Sequence, residues 1–190
     1  QIEVVEPQIT AHLKKLFGND KAFVTGGFKR QLEYLDELEY VVALNNEEIK
    51  TKLLSANPPE LLAEEKDSLL YKLLNGLRLR LFTGENDWQK RLFTKSCSEE
   101  FCTSLLQQYP TLNFTSIEND HAELFKQATI TFIPPYARET GAVIEKAKKG
   151  SLPNVILPTD TPSRISSSNS FTTNSVQNSP RILLLRDVIL

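Results

Sequence analysis

Methionine is absent from the 190 residues, and cysteine (2), histidine (2) and tryptophan (1) are nearly so. Two cysteines, Cys97 and Cys102, are too few for a disulfide framework. With no histidine beside them they read as reduced, packed thiols and not as metal ligands or nucleophiles. His12 and His121 are expected at the surface, and two histidines cannot build a multi-histidine metal centre. No apolar run approaches the roughly 20 residues that a membrane span requires; the longest, residues 182–190, reads as a buried strand. Nothing resembles a secretory signal, so a cytoplasmic protein is expected. An excess of either charge is also missing: 22 basic residues face 24 acidic ones, a net charge of -2. That balance excludes a polycation, and any nucleic-acid contact has to be local. The lack of methionine, with glutamine at position 1, leads to the expectation of missing sequence upstream or of methionines dropped within the chain.

What is present is a succession of short elements. Residues 6–17 carry Ile9, Leu13, Leu16 and Phe17 at helical spacing, and Gly18-Asn19-Asp20 supplies a turn. Strands are expected at 21–25 and 35–44. Asn45-Asn46 then opens a helix with acids in its first turn. Asn57-Pro58-Pro59 breaks the chain, and a short helix is expected after it. Residues 68–82 read as two strands joined at Asn75-Gly76, a strong hairpin signal. Helices follow over 88–109 and 117–128, Ile133-Pro134-Pro135-Tyr136 forms a rigid extended turn, and a last helix ends at Gly150. From 151 the composition turns to Pro, Ser, Thr and Asn, as in a linker or tail.

The stretch FVTGGFKRQLEYLDELEYVVA, residues 23–43, holds the chemistry. A strand, a Gly-Gly turn and the basic pair Lys29–Arg30 precede a second strand bearing Glu37 and Glu39. Residues two apart on a strand share a face, so the two carboxylates should project together while Leu38 enters the core. Acids so spaced are more often a solvated face than a site. The preceding Gly-Gly-basic turn makes an arrangement for metal-bound phosphates the sharper reading.

In order and spacing, roughly residues 5–160 resemble the bacterial family X DNA polymerases. The family's palm reads Gly-Ser-x-Arg-Arg-Gly-Lys-Glu and then Asp-x-Asp; here Gly26, Gly27, Phe28, Lys29, Arg30 and Glu33 fall in register, with Glu37-Leu38-Glu39 in place of Asp-x-Asp. The hairpin strand that carries the third acid reads Gly76-Leu77-Arg78-Leu79-Arg80-Leu81, with Arg80 at the acid's position. LFTKSCSEEF (92–101) is similar to the thumb's Tyr-Phe-Thr-Gly-Ser segment, in either of two registers. The stretch around IPPYARE matches the family's Ile-Pro-Pro-Glu-Leu-Arg-Glu. The family's PHP phosphoesterase domain opens with metal-binding histidines, whereas Ser166 and Ser168 stand at those positions here.

The resemblance implies an α+β fold: a nucleotidyltransferase-type palm (1–91) with a small mixed sheet flanked by helices, a small thumb-like subdomain (92–150), and an extended, degenerate PHP-like segment (151–190). It implies ancestry in DNA polymerisation and repair, with Glu37, Glu39 and Arg80 at the positions of the catalytic acids and Gly26, Gly27, Lys29 and Arg30 at the phosphate turn. In such palms three carboxylates hold two divalent ions about 3.5–4 Å apart. A fixed guanidinium at Arg80 works against that, since unit charges about 4 Å apart interact by about 4 kcal/mol at an effective dielectric of 20. Arg80 is expected to replace the metal by pairing with both glutamates, leaving no metal, no cofactor and weak DNA or nucleotide binding. The alternatives are an active enzyme that uses Mg²⁺ on Glu37 and Glu39, and a protein-interaction scaffold.

Overall fold

The computed structural model describes residues 2–54 and 57–153; the degenerate PHP-like segment expected beyond 153 lies outside them. Helix α1, Ile2–Phe17, buries Ile9, Leu13 and Phe17 as one stripe and carries Pro7 within its length. It starts four residues earlier than the expected start at residue 6. Gly18, at φ +119°, ends it, and its N–H donates back to the Lys14 carbonyl. The short strand β1 (Ala22–Thr25) passes into a single helical turn, α2 (Gly26–Lys29), before strand β2 (Leu38–Val42). Helix α3 (Asn46–Leu53) begins with a capping box: the Asn45 side chain accepts from the Glu48 N–H, and the Glu48 carboxylate accepts from the Asn45 N–H. Two of the donors orphaned at the helix start are thereby satisfied.

The short helix expected after the Pro58-Pro59 break is instead strand β3, Glu60–Glu65, antiparallel to β4 (Ser68–Lys72). Glu, Leu and Ala favour a helix in isolation, but pairing with the buried strand β4 overrides that preference. β3 is the sheet's edge, bulged between Leu61 and Ala63 and studded with acids, features that protect an open strand edge. The Asn75-Gly76 hairpin forms as expected between β4 and β5 (Arg78–Thr83). Leu73 N–H donates to the Leu77 carbonyl, so the loop is Leu74-Asn75-Gly76, with Gly76 at φ +85°. A left-handed third residue is what a three-residue hairpin needs.

The sheet order is β1-β2-β5-β4-β3, with β2 and β5 parallel and every other pair antiparallel. This is the small mixed α+β sheet flanked by helices that was expected, with β3 as a fifth strand. Alternation divides its faces. Leu38, Tyr40 and Val42 of β2, with Leu79 and Leu81 of β5, pack with Ile9 and Leu13 of α1 and Ile49 of α3. The opposite face puts Val41 and Phe82 against Leu92 of helix α4 (Trp88–Lys95).

A second core lies in the helices that follow: α4, α5 (Glu99–Gln108), α6 (Glu118–Gln127) and α7 (Ala142–Lys148), with a 3₁₀ turn at Pro135–Ala137. Phe93, Phe101, Leu105, Leu124, Phe125, Ile133 and Ile144 are buried together there. The start of α6 is unusual: Asn119, Asp120 and His121 have φ of 49°, 55° and 63°. Asn, Asp and His are the non-glycine residues most often found at positive φ. Among the described residues no helix is long and apolar enough to cross a membrane.

Candidate functional site

Parity along β2 and β5 brings the three expected positions to one side of the sheet. Glu39 and Arg80 are direct partners in the parallel register, each flanked by core-facing leucine or tyrosine. Glu37 lies in the bend just before β2. There the two glutamates part. Arg80 Nε donates to Glu37 Oε1, while Arg78 Nη2 is 3.9 Å from Glu37 Oε2. Arg80 Nη1 donates to Ser68 Oγ at 3.3 Å and stands 3.9 Å from Glu65 Oε1. Arg80 therefore pairs with Glu37, as expected, but its second acid is Glu65 on the edge strand.

Glu39 has a different partner. Its Oε2 accepts the Gly27 N–H at 2.9 Å, which lays the carboxylate across the Gly-Gly turn. Gly26 sits at φ +65°, and a Cβ there would fall inside the Glu39 carboxylate; one on Gly27 would come within 2.5 Å of Leu35 Cδ2. The molecule's own side chains thus account for both glycines. A carboxylate fills the place where the resemblance puts a phosphate.

The two cations are also occupied. Lys29 Nζ pairs with Asp120 Oδ1, and Arg30 Nη1 donates to Glu139 Oε2 at 3.1 Å. Both acids come from the helical region and not from the sheet. The Arg30–Glu139 pair is incomplete: Arg30 Nε and Glu139 Oε1 are buried with no hydrogen-bond partner. Beside this turn a cleft of about 390 Å³ opens between the sheet and α4–α5, bordered by Gly26, Arg30, Glu39, Phe82, Lys95 and Cys102. Lys95 Nζ lies 4.2 Å over the Phe82 ring, a cation–π contact at the cleft wall.

Sequence reasoning missed the group that organises the acids. Arg138, within the IPPYARE landmark, is fully buried. Its Nε donates to the Ile133 carbonyl at 2.8 Å, Nη1 to Ser96 Oγ at 3.2 Å and Nη2 to the Asp120 carbonyl at 2.7 Å. Phe93 and Phe125 flank the guanidinium, each ring centroid 5.1 Å from its carbon. Burial lowers its pKa. The guanidinium holds the backbone of Asp120, while the adjacent residue, Glu139, reaches Arg30. A buried arginine one residue before a paired glutamate has no periodicity that composition reveals.

His121 corrects the expectation of a surface residue. It is 3% exposed, its ring meets Phe93 edge-on at 5.3 Å, and Nε2 is 3.3 Å from the Gln89 carbonyl. Burial, with Arg138 nearby, pushes its pKa down to about 4. His12 is half-buried, and burial with Lys15 lowers its pKa too. Cys97 and Cys102 are buried free thiols, as expected; burial raises Cys97 to about 12 and Cys102 above its ordinary value. Ser96 closes α4 and Ser98 caps α5, so the Ser96–Ser98 segment is a helix–helix turn. Among the described residues no group of three or more His, Cys, Asp or Glu is arranged to hold a metal ion. No protein-family model matches the sequence, and no curated protein matches it.

Proposed function

We propose that the chain is a family X DNA polymerase-like protein whose metal site is retired, binding DNA or nucleotide weakly without transferring nucleotides. The observation that carries this reading is the Arg80–Glu37 ion pair. It puts a permanent cation at the position of the third acid and ties up the first. Glu39, hydrogen-bonded to the Gly27 N–H, is committed as well. A pair of divalent ions does not fit such a set.

The reading is tested by primer extension with Mg²⁺ or Mn²⁺ on gapped DNA. No extension is expected from the wild type. Extension that Glu37→Asp or Glu39→Asp reduces would establish the active alternative, with the triple change Glu37→Asp, Glu39→Asp and Arg80→Asp as the attempted restoration. Binding is read separately, by anisotropy of labelled DNA across a salt series, because phosphate contacts weaken steeply with salt. The interaction-scaffold alternative draws on the strongly exposed Tyr34 and Leu74; no DNA binding at low salt would favour it.

A further inference from the structure

The cations of the GGFKR turn are held by acids from outside the sheet. Lys29 reaches Asp120, at the left-handed start of α6, and Arg30 reaches Glu139, just after the 3₁₀ turn. Both acids are prepositioned by one group, Arg138, which grips the Asp120 carbonyl and immediately precedes Glu139. We propose that these two pairs form an electrostatic latch: the acidic strap occupies the cations that a DNA backbone would use, so DNA binding and the latched arrangement exclude each other. This rests on the DNA-binding reading above and adds its regulation.

Three features make the latch exchangeable. The Lys29 and Asp120 side chains are 35% and 38% exposed, so solvent and solute reach the pair. The Arg30–Glu139 contact uses one edge of the guanidinium and leaves Nε buried without a partner. A phosphate oxygen pair can engage both Nε and Nη of an arginine fork, so exchange satisfies a donor that the latch leaves idle. Lys29 and Asp120 also border a cleft of about 910 Å³, with Phe28, Gln31 and Tyr136 around it and the carboxylates of Glu3 and Glu33 at its wall. That is room for an incoming strand at the Lys29–Asp120 pair, while Arg30 borders the separate cleft beside Gly26. A ligand that binds only the unlatched form shifts the population toward it, and the same coupling weakens its binding to the latched one.

The test is anisotropy of a short fluorescein-labelled DNA duplex at low salt, with the full chain. The double variant Asp120→Asn with Glu139→Gln removes the competing charges and keeps the shapes. Asparagine tolerates the left-handed backbone at 120, and circular dichroism checks the fold. Neutralising Glu123 and Glu145 instead removes equal charge away from the latch. The strap variant is expected to bind DNA about tenfold more tightly than the wild type, and the control variant much less so. Saturating DNA is expected to speed amide hydrogen exchange around Asp120 and Glu139 in the wild type. Equal gains in the two variants, or unchanged exchange at saturation, overturn the latch. If the wild type binds through Lys29 and Arg30 but the strap variant gains nothing, the latch falls and the DNA-binding reading stands. If neither protein binds at low salt, both fall.

Discussion

At the scale of single residues, the chemistry is concentrated in buried or paired charges. His121 gives a prediction in pH. Its folded pKa of about 4 lies below the ordinary 6.5. The unfolded chain therefore binds a proton between those values that the folded chain excludes, and stability falls as pH falls through that window. The contribution is fully present above about pH 6.5 and amounts to about 3 kcal/mol. Urea denaturation at a series of pH values from neutral to 4 is expected to show this slope. His121→Asn, which keeps a residue tolerant of positive φ, should flatten it, leaving the smaller slope from His12. Arg138 gives a second prediction. Arg138→Met keeps bulk between Phe93 and Phe125 but leaves the Ile133 and Asp120 carbonyls without their donor. Each buried unsatisfied group costs about 1–3 kcal/mol, so for the two carbonyls a loss of about 2–6 kcal/mol in chemical denaturation is expected. A variant as stable as the wild type would show that the guanidinium is not the anchor.

At the scale of elements, the Gly-Gly turn has a sharp signature. Gly26→Ala drives a methyl into the Glu39 carboxylate and forces a positive φ, and a destabilisation of about 2 kcal/mol or more is expected. Combining it with Glu39→Ala removes the carboxylate from the methyl's place and leaves the 2.8 Å approach to the Cβ at 39, together with a backbone strain of about 1 kcal/mol. The double-mutant cycle should therefore be strongly non-additive; additive losses would mean that Glu39 does not cover the turn. Asn45→Ala should cost about 1 kcal/mol through its capping box, read as a lower thermal midpoint. Most elements were legible from residue patterns because their own residues determine them: the stripe of α1, the cap of α3 and Gly76 in the hairpin. Residues 60–65 were not, because their strand exists through a neighbour that local propensity does not contain. The same limit applied to the site. Parity put Glu37 and Glu39 on one side, the resemblance set Arg80 beside them, and charge led to a pairing with both, of which the Arg80–Glu37 pair forms. That Glu39 would turn to Gly27, or that Asp120 and Glu139 would arrive from far along the chain, is written only in the tertiary arrangement.

At the scale of the molecule, two cores meet across a narrow seam. The sheet core centres on Leu38, Tyr40 and Leu81, and the helical core on Phe93, Phe101 and Phe125. Between them lie Val41, Phe82 and Leu92, with Phe23 stacked on Trp88 at 4.9 Å. Trp88 is the sole tryptophan, so its fluorescence reports from the seam itself. If the cores unfold as one unit, fluorescence and far-ultraviolet circular dichroism should give coincident denaturation curves. An earlier fluorescence transition would mean that the seam parts first.

The parallel β2–β5 pair has a further consequence, in time and not in space. Antiparallel β4 and β5 need only a short hairpin loop, whereas Arg80 meets Glu37 across 43 residues of sequence. Long closures of this kind are entropically expensive and tend to come after local ones. The Arg80–Glu37 contact is thus assembled late, after the hairpin that carries Arg80. Truncating Arg80 should leave the refolding rate nearly unchanged and accelerate unfolding, as for a contact absent from the transition state.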